Sequence, residues 1–276
     1  MKDTISALAS WRFWMGSSLR LNKIYEMKFP DDLYKWNKFF PVCPVCNSAR
    51  SFYVEEIDDD VLCICEIAHL HEQIEEWNKY ATYISPARLE DLRPFIYNDP
   101  EKGPNLKGKE DLEFYKKKLY EWKKDLRRWI LVEGGVGSGK THSFRAIKTW
   151  FPELTLFVSM DTFQSNIHKF MNDGTLKDML HALSIAPILI IDDLGAEHDT
   201  AFVNNLLFRV VNSRYNQKPE NYITIMSTNL SIREMIEGSD LARKRIMSRM
   251  VDKAYSDTFI LRQNDFRVVQ KQVTYA

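Results

Sequence analysis

The run Gly134-Gly135-Val136-Gly137-Ser138-Gly139-Lys140-Thr141 constrains this chain more than any other feature. It satisfies the pattern G-x-x-x-x-G-K-[ST] in full. The apolar stretch Trp129–Glu133 leads into it, and a helical pattern over Thr141–Phe151 leads out. Glycines let successive backbone N–H groups turn inward around phosphate oxygens, and a helix opening at Lys140 aims its positive dipole end at the same point. In this pattern Lys140 reaches β- and γ-phosphates, and the Thr141 hydroxyl ligates Mg²⁺.

Beyond the glycine-rich loop, strand and helix patterns alternate. Leu154–Ser159 reads as a strand, with Asp161 as N-cap of the helix that follows. Ile188-Leu189-Ile190-Ile191 is fully apolar. Thr200–Tyr215 reads as a helix, Tyr222–Thr228 as a strand, Asp240–Met250 as a helix and Thr258–Arg262 as a last strand. Continuous apolar strands between helices imply an α/β fold whose parallel sheet is covered on both faces. Upstream, Leu112, Tyr115, Leu119, Trp122, Leu126 and Trp129 repeat at helical spacing. The other faces of that helix are basic: residues 107–128 carry nine basic against five acidic side chains.

An apolar strand that ends in acid places carboxylates at the edge of the sheet beside the loop. Asp192 is the expected Mg²⁺ partner and Asp193 the expected general base toward an attacking water. Asp is one methylene shorter than the Glu common at the second position, which fits slow hydrolysis. Asn229, in Ser227-Thr228-Asn229, is expected to hydrogen-bond that water and the phosphate. Asp192-Asp193-Leu194-Gly195 also fits the D-x-x-G pattern of GTPases. However, Asn22-Lys23, Asn37-Lys38 and Asn78-Lys79 all lack the Asp of N-K-x-D, so the expected nucleotide is ATP.

All four cysteines fall between positions 43 and 65, as Cys43-Pro44-Val45-Cys46 and Cys63-Ile64-Cys65. Four thiolates at this spacing suit a closed tetrahedral Zn²⁺ site that folds a segment with little core of its own. The second pair is tighter than the common C-x₂-C, so His69 or His71 stands as an alternative to Cys65. The runs Ser51–Ile57 and Val61–Cys65 read as strands around the acidic turn Asp58-Asp59-Asp60. The segment's acidity argues against phosphate contact. Four clustered cysteines in a chain of 276 residues point to metal in a reducing cytoplasm, not to disulfides.

Lys+Arg and Asp+Glu both number 38, which excludes a protein that coats polyanions by bulk charge. With 45% hydrophobic and 28% charged residues, the chain can bury a sizeable core. It has no apolar run long enough to span a membrane and no basic-then-apolar leader, so a cytoplasmic location is expected. The turn-rich stretch Pro86, Pro94, Pro100, Gly103, Pro104, Gly108 marks a linker. The expected division is a small helical and zinc-ribbon domain over 1–85 and a larger domain over 86–276.

Five segments occur in the order seen in the DnaC/DnaI-type replicative helicase loaders. They are Glu133–His142, Ile190–Glu197, Asn212-Ser213-Arg214-Tyr215, Ser227-Thr228-Asn229-Leu230 and Arg245-Ile246-Met247-Ser248-Arg249. The chain resembles that family of AAA+ ATPases from about residue 85 to 262, and IstB-type transposition ATPases share much of the pattern. The resemblance implies an AAA+ P-loop domain with a truncated lid, leaving no candidate for a lid arginine acting on the nucleotide in cis. It implies that Gly134, Gly135, Val136, Gly137, Ser138, Gly139, Lys140, Thr141, His142 and Asp192 hold ATP and Mg²⁺. It implies that Arg249, with Arg245 beside it on one helix face, reaches the ATP of a neighbouring subunit. The implied partners are a hexameric replicative helicase, engaged by residues 1–85, single-stranded DNA, and further copies of the chain. The alternative is an ATPase that acts on duplex DNA with a transposase.

Overall fold

The computed structural model describes residues 76–269, apart from 97, 100–102, 153, 196–199, 218, 220–221 and 238–239, together with 47, 51–54, 59–62 and 69 in the earlier part of the chain. Two compact units divide it, Met1–Glu76 and Trp77–Ala276. In the first, β1 (Ser51–Val54) and β2 (Asp59–Leu62) pair as an antiparallel hairpin, with Ser51 opposite Leu62 and Val54 opposite Asp59. Cys43, Cys46, Cys63, Cys65 and His71 lie outside the described residues.

The second unit is built on a five-stranded parallel sheet. A short hairpin, β3 (Asn98–Asp99) with β4 (Gly103–Pro104), precedes α1 (Leu106–Lys124). Then follow β5 (Trp129–Gly134), α2 (Lys140–Trp150), β6 (Thr155–Ser159), α3 (Met160–Asn172), α4 (Leu176–Ile185) and β7 (Ile188–Leu194). The chain continues through α5 (Ala201–Asn216), β8 (Ile223–Thr228), α6 (Ile232–Glu237), α7 (Leu241–Met250), β9 (Ser256–Leu261) and α8 (Phe266–Val269). The strands lie in the order β6-β7-β8-β5-β9. Because β8 separates β5 from β7, the loops after β5 and β7 open at a point where the strand order reverses, the crevice that α/β sheets use for ligands.

The apolar runs become the core. Ile188, Leu189, Ile190 and Ile191 are at most 2% exposed, as are Ile130, Leu131 and Val132 on β5. Each such side chain contributes about 1.5–3 kcal/mol on burial. Leu112, Tyr115, Leu119 and Trp122 form the buried stripe of α1. That helix stops at Lys124, and Trp122 Nε1 donates to Arg128 O (2.8 Å) across the turn. Trp129, which also continues the helical spacing, starts β5 as the apolar run Trp129–Glu133 leads one to expect. Ser159, not Asp161, caps α3, its hydroxyl accepting from the Thr162 N–H (3.2 Å).

Arg214 is completely buried, and among the described residues its hydrogen bonds run to a hydroxyl and to backbone carbonyls. Its Nε donates to Thr224 Oγ1 (2.9 Å), Nη1 to Leu183 O (3.0 Å) and Ala186 O (2.7 Å), and Nη2 to Ile223 O (2.7 Å). Burial pushes its pKa down to about 9, so the guanidinium keeps its charge at neutral pH. It ties the end of α4 to β8 and α5, satisfying carbonyls that would otherwise be costly to bury. Among the described residues no helix is long and apolar enough to cross a membrane.

Candidate functional site

The site grows out of the end of β5. Gly134 is hemmed in: a Cβ there would lie 2.8 Å from both Leu261 O and Ser138 Oγ. Gly137 and Gly139 hold φ of +71° and +100°, a region that favours glycine. The loop thus turns tightly enough to bring Lys140 back over its own start. The Lys140 Nζ donates to Gly134 O (2.6 Å), Gly135 O (2.8 Å) and Asn229 Oδ1 (2.8 Å). Burial lowers the proton affinity of this ammonium, and the charges of Asp193 and Asp192 oppose that shift. Ser138 Oγ is buried in the loop with no hydrogen-bond partner among the described residues, a polar atom that a phosphate oxygen could satisfy.

Thr141, in the first turn of α2, donates from Oγ1 to Asp192 Oδ2 (2.7 Å), and Ser227 Oγ donates to Asp192 Oδ1 (2.5 Å). Burial raises the Asp192 carboxyl above its ordinary range, while the Ser227 and Thr141 hydrogen bonds pull it down. A divalent cation would restore the charged form. Hard, adjacent oxygens fit Mg²⁺, which takes one or two protein ligands and completes its shell with phosphate and water. Among the described residues no cluster of three or more His, Cys, Asp or Glu side chains suits a metal.

The next residue leaves the strand geometry. Asp193 has φ +62°, and the β7–β8 register shifts between Ile191 and Leu194. Asp is one of the few residue types that enter this region with modest strain. The bulge turns consecutive carboxylates to different tasks: Asp192 lies buried against Thr141 and Ser227, while Asp193 opens onto the cavity. The Asp193 N–H donates to Ser227 Oγ (2.9 Å), and Asn229 Nδ2 donates to Asp193 Oδ1 (3.1 Å). Asn229 therefore bridges Lys140 and Asp193.

A cavity of about 610 Å³ contains Gly137 to His142, Asp193 and Asn229 in its walls. That volume is in the range of small-molecule and cofactor sites. His142 Nε2 donates to Arg88 O (2.9 Å), tying α2 to the preceding segment. Two walls have no local signal in the sequence. One is the stretch from Asp91 to Phe95, where a Leu92 methyl sits 2.6 Å from the point a Cβ on Gly139 would occupy. The other is Gln263, Phe266 and Arg267, after β9. Segments far apart in sequence meet there: Asn105 Nδ2 donates to Arg262 O (2.8 Å) and Gln263 Nε2 to Phe95 O (2.9 Å).

Arg245 and Arg249 do not line this cavity. They lie one turn apart on α7, against α5. Arg249 is half-buried, with its guanidinium 4.9 Å from the Phe208 ring centroid and 5.4 Å from that of Tyr215. Its Nη2 donates to Asn212 Oδ1 (2.5 Å). Arg245 is exposed, its guanidinium 5.6 Å from the Phe208 centroid.

Comparison with known proteins agrees with this geometry. A family model described as IstB-like ATP binding protein matches residues 119–272, more than half of the chain. The chromosomal replication initiator protein DnaA of Flavobacterium psychrophilum is 31% identical over 88 residues, 30% of this chain and 18% of that protein. The chain thus spans under a fifth of that relative's length. AMPPCP-bound DnaA from Aquifex aeolicus superposes with a TM-score of 0.51 at 16% identity, over 69% of this chain and 55% of that one. A DnaC helicase loader structure gives a TM-score of 0.49 at 18% identity, over 64% and 97%. At 16% identity the likeness to the DnaA structure is one of fold. The chain belongs to the IstB-like ATP binding protein family and is an ATPase built on an AAA+ fold.

Proposed function

We propose that this ATPase is a loader that binds a hexameric replicative helicase and places it on single-stranded DNA. The observation that carries the reading is the separation of two charged groups. Lys140, Thr141, Asp193 and Asn229 line one cleft, with Asp192 buried against Thr141 beside it, whereas Arg245 and Arg249 stand apart from it on α7. An arginine held away from its own nucleotide site suits a reaction completed by a neighbouring copy.

In this reading, phosphate oxygens replace Gly134 O, Gly135 O and Asn229 as partners of the Lys140 ammonium. Thr141 and Asp192 would hold Mg²⁺, which would supply charge neutralisation at the phosphates. Asp193 accepts the proton of the attacking water, and Asn229 orients that water between Asp193 and Lys140. Arg249 of a second copy stabilises charge on the γ-phosphoryl group, with Arg245 beside it. ATP between copies orders an assembly, whose basic inner surface tracks the DNA backbone.

Residues 1–85 form the helicase-binding module in this proposal, with 86–276 as the ATPase domain. Cys43, Cys46, Cys63 and Cys65 hold one structural Zn²⁺. Elemental analysis of protein purified without chelator should give one zinc per chain; absence of zinc contradicts the module. Retention of zinc in Cys65→Ser moves the fourth ligand to His69 or His71.

The family match favours a second reading, an ATPase that acts on duplex DNA with a transposase. A pull-down from the native host with the full chain and ATP separates the two. A hexameric helicase in the eluate, lost with Lys140→Ala bait, is the expected result. A transposase in its place overturns the loader reading.

A further inference from the structure

The segment after β9 is fastened onto the phosphate loop. The Phe266 N–H donates to Gly137 O (3.3 Å), and a Cβ on Gly137 would lie 1.9 Å from Asp265 Oδ1 and 2.8 Å from Asp265 Cα. The contact is so close that only glycine fits opposite it. From behind, the segment is held by Gln263 on Phe95 O, by Asn105 on Arg262 O, and by the Phe95 and Phe266 rings at 5.6 Å. Its backbone is thus positioned by partners on both sides of the cavity.

Arg267 sits at the end of this strap and lines the cavity together with Lys140, Asp193 and Asn229. Its side chain is 68% exposed and, among the described residues, makes its polar contacts with Asp265. Nε and Nη2 reach the two carboxylate oxygens of Asp265 at 3.2 and 3.3 Å, and the Arg267 N–H donates to Asp265 Oδ1 (2.9 Å). A pair two residues apart, this exposed, contributes little to stability. It does hold a guanidinium beside the phosphate loop. The charge of Arg267 is felt at Lys140, where it works against retention of the ammonium proton. Arg93 and Arg145 line the same cavity, so four cationic side chains converge on it, and an anion placed among them relieves their repulsion. A planar guanidinium can grip phosphate oxygens in pairs.

We propose that Arg267 is a nucleotide-binding residue acting in cis, released from Asp265 to grip the phosphates of ATP bound in the same chain. This rests on the nucleotide reading of the phosphate loop and adds to it a cation that the strap fastens beside the loop. Asp265 is the holster: it keeps the guanidinium near the loop before ATP arrives and yields it to a more highly charged acceptor.

The test uses the full chain, fluorescent ATP and ADP as probes, and dilute protein, so that each chain acts alone. Arg267→Ala should bind ATP about tenfold more weakly, and Arg267→Lys should recover part of that loss. Asp265→Ala, which frees Arg267, should bind ATP as well as the wild type or better. Arg267→Ala binding ATP within twofold of the wild type overturns the inference. So does an equal loss in Asp265→Ala, because the pair is then only a structural clasp. A wild-type chain that binds neither probe overturns the nucleotide site itself. A wild-type chain that binds both, beside an unimpaired Arg267→Ala, overturns the role of Arg267 alone.

Discussion

ATP binding should weaken by about two orders of magnitude in the Lys140→Ala chain. The Lys140 ammonium is buried, and its three hydrogen bonds run to Gly134 O, Gly135 O and Asn229 Oδ1. Alanine removes the fixed charge inside the loop and leaves those acceptors without their donor. Burial already depresses the lysine's proton affinity, and Asp193 and Asp192 hold the proton on. Incoming phosphates add negative charge and reinforce that hold, so binding and protonation support each other at neutral pH. Because Lys140 lies on the first turn of α2, whose core contacts come from Phe144, Ala146 and Ile147, the fold should survive the change. A fluorescent-ATP titration measures the loss. Unchanged affinity contradicts the site.

Arg249→Ala should act on a different quantity. Its effect is expected on the rate under assembling conditions, lower by about 10³-fold, with ATP affinity nearly unchanged. The guanidinium lies over Phe208 and Tyr215 and is oriented by Asn212 Oδ1 and Arg245 O, which limits the freedom lost when it meets a γ-phosphoryl group. Burial lowers its proton affinity, but an arginine starts so high that it stays charged. An unchanged rate would make α7 a packed basic helix and nothing more. Steady-state hydrolysis at rising protein concentration, measured beside ATP affinity, separates the two effects.

The parts of this account legible in the sequence are those whose physics is local. A phosphate loop needs its glycines, its lysine and its flanking strand and helix in one continuous stretch, so Gly134 to Thr141 declares itself. Ile188–Ile191 followed by Asp192 does the same, because a strand buried on both faces must be apolar until it reaches an edge. What stayed hidden depends on distant segments. Arg214 stands in a recognisable string, yet nothing local shows that carbonyls from α4 and β8 converge on it. The Leu92 wall and the Arg267 strap are brought to the loop by hydrogen bonds spanning more than 150 residues. Arg267 follows the last strand on a four-residue helix, so no local pattern marks it as a residue of the cavity.

The most direct measurement of the central claim mixes the two defective chains. Lys140→Ala keeps Arg249 and loses its own nucleotide site; Arg249→Ala keeps the site and loses the arginine. If each active site is shared between copies, some interfaces in the mixture join an intact cleft to an intact arginine. ATP hydrolysis by the equimolar mixture should then rise well above that of either protein alone at the same total concentration. A rate equal to the average of the two, at concentrations where the wild type assembles and turns over, contradicts the shared site and with it an assembly driven by ATP between copies.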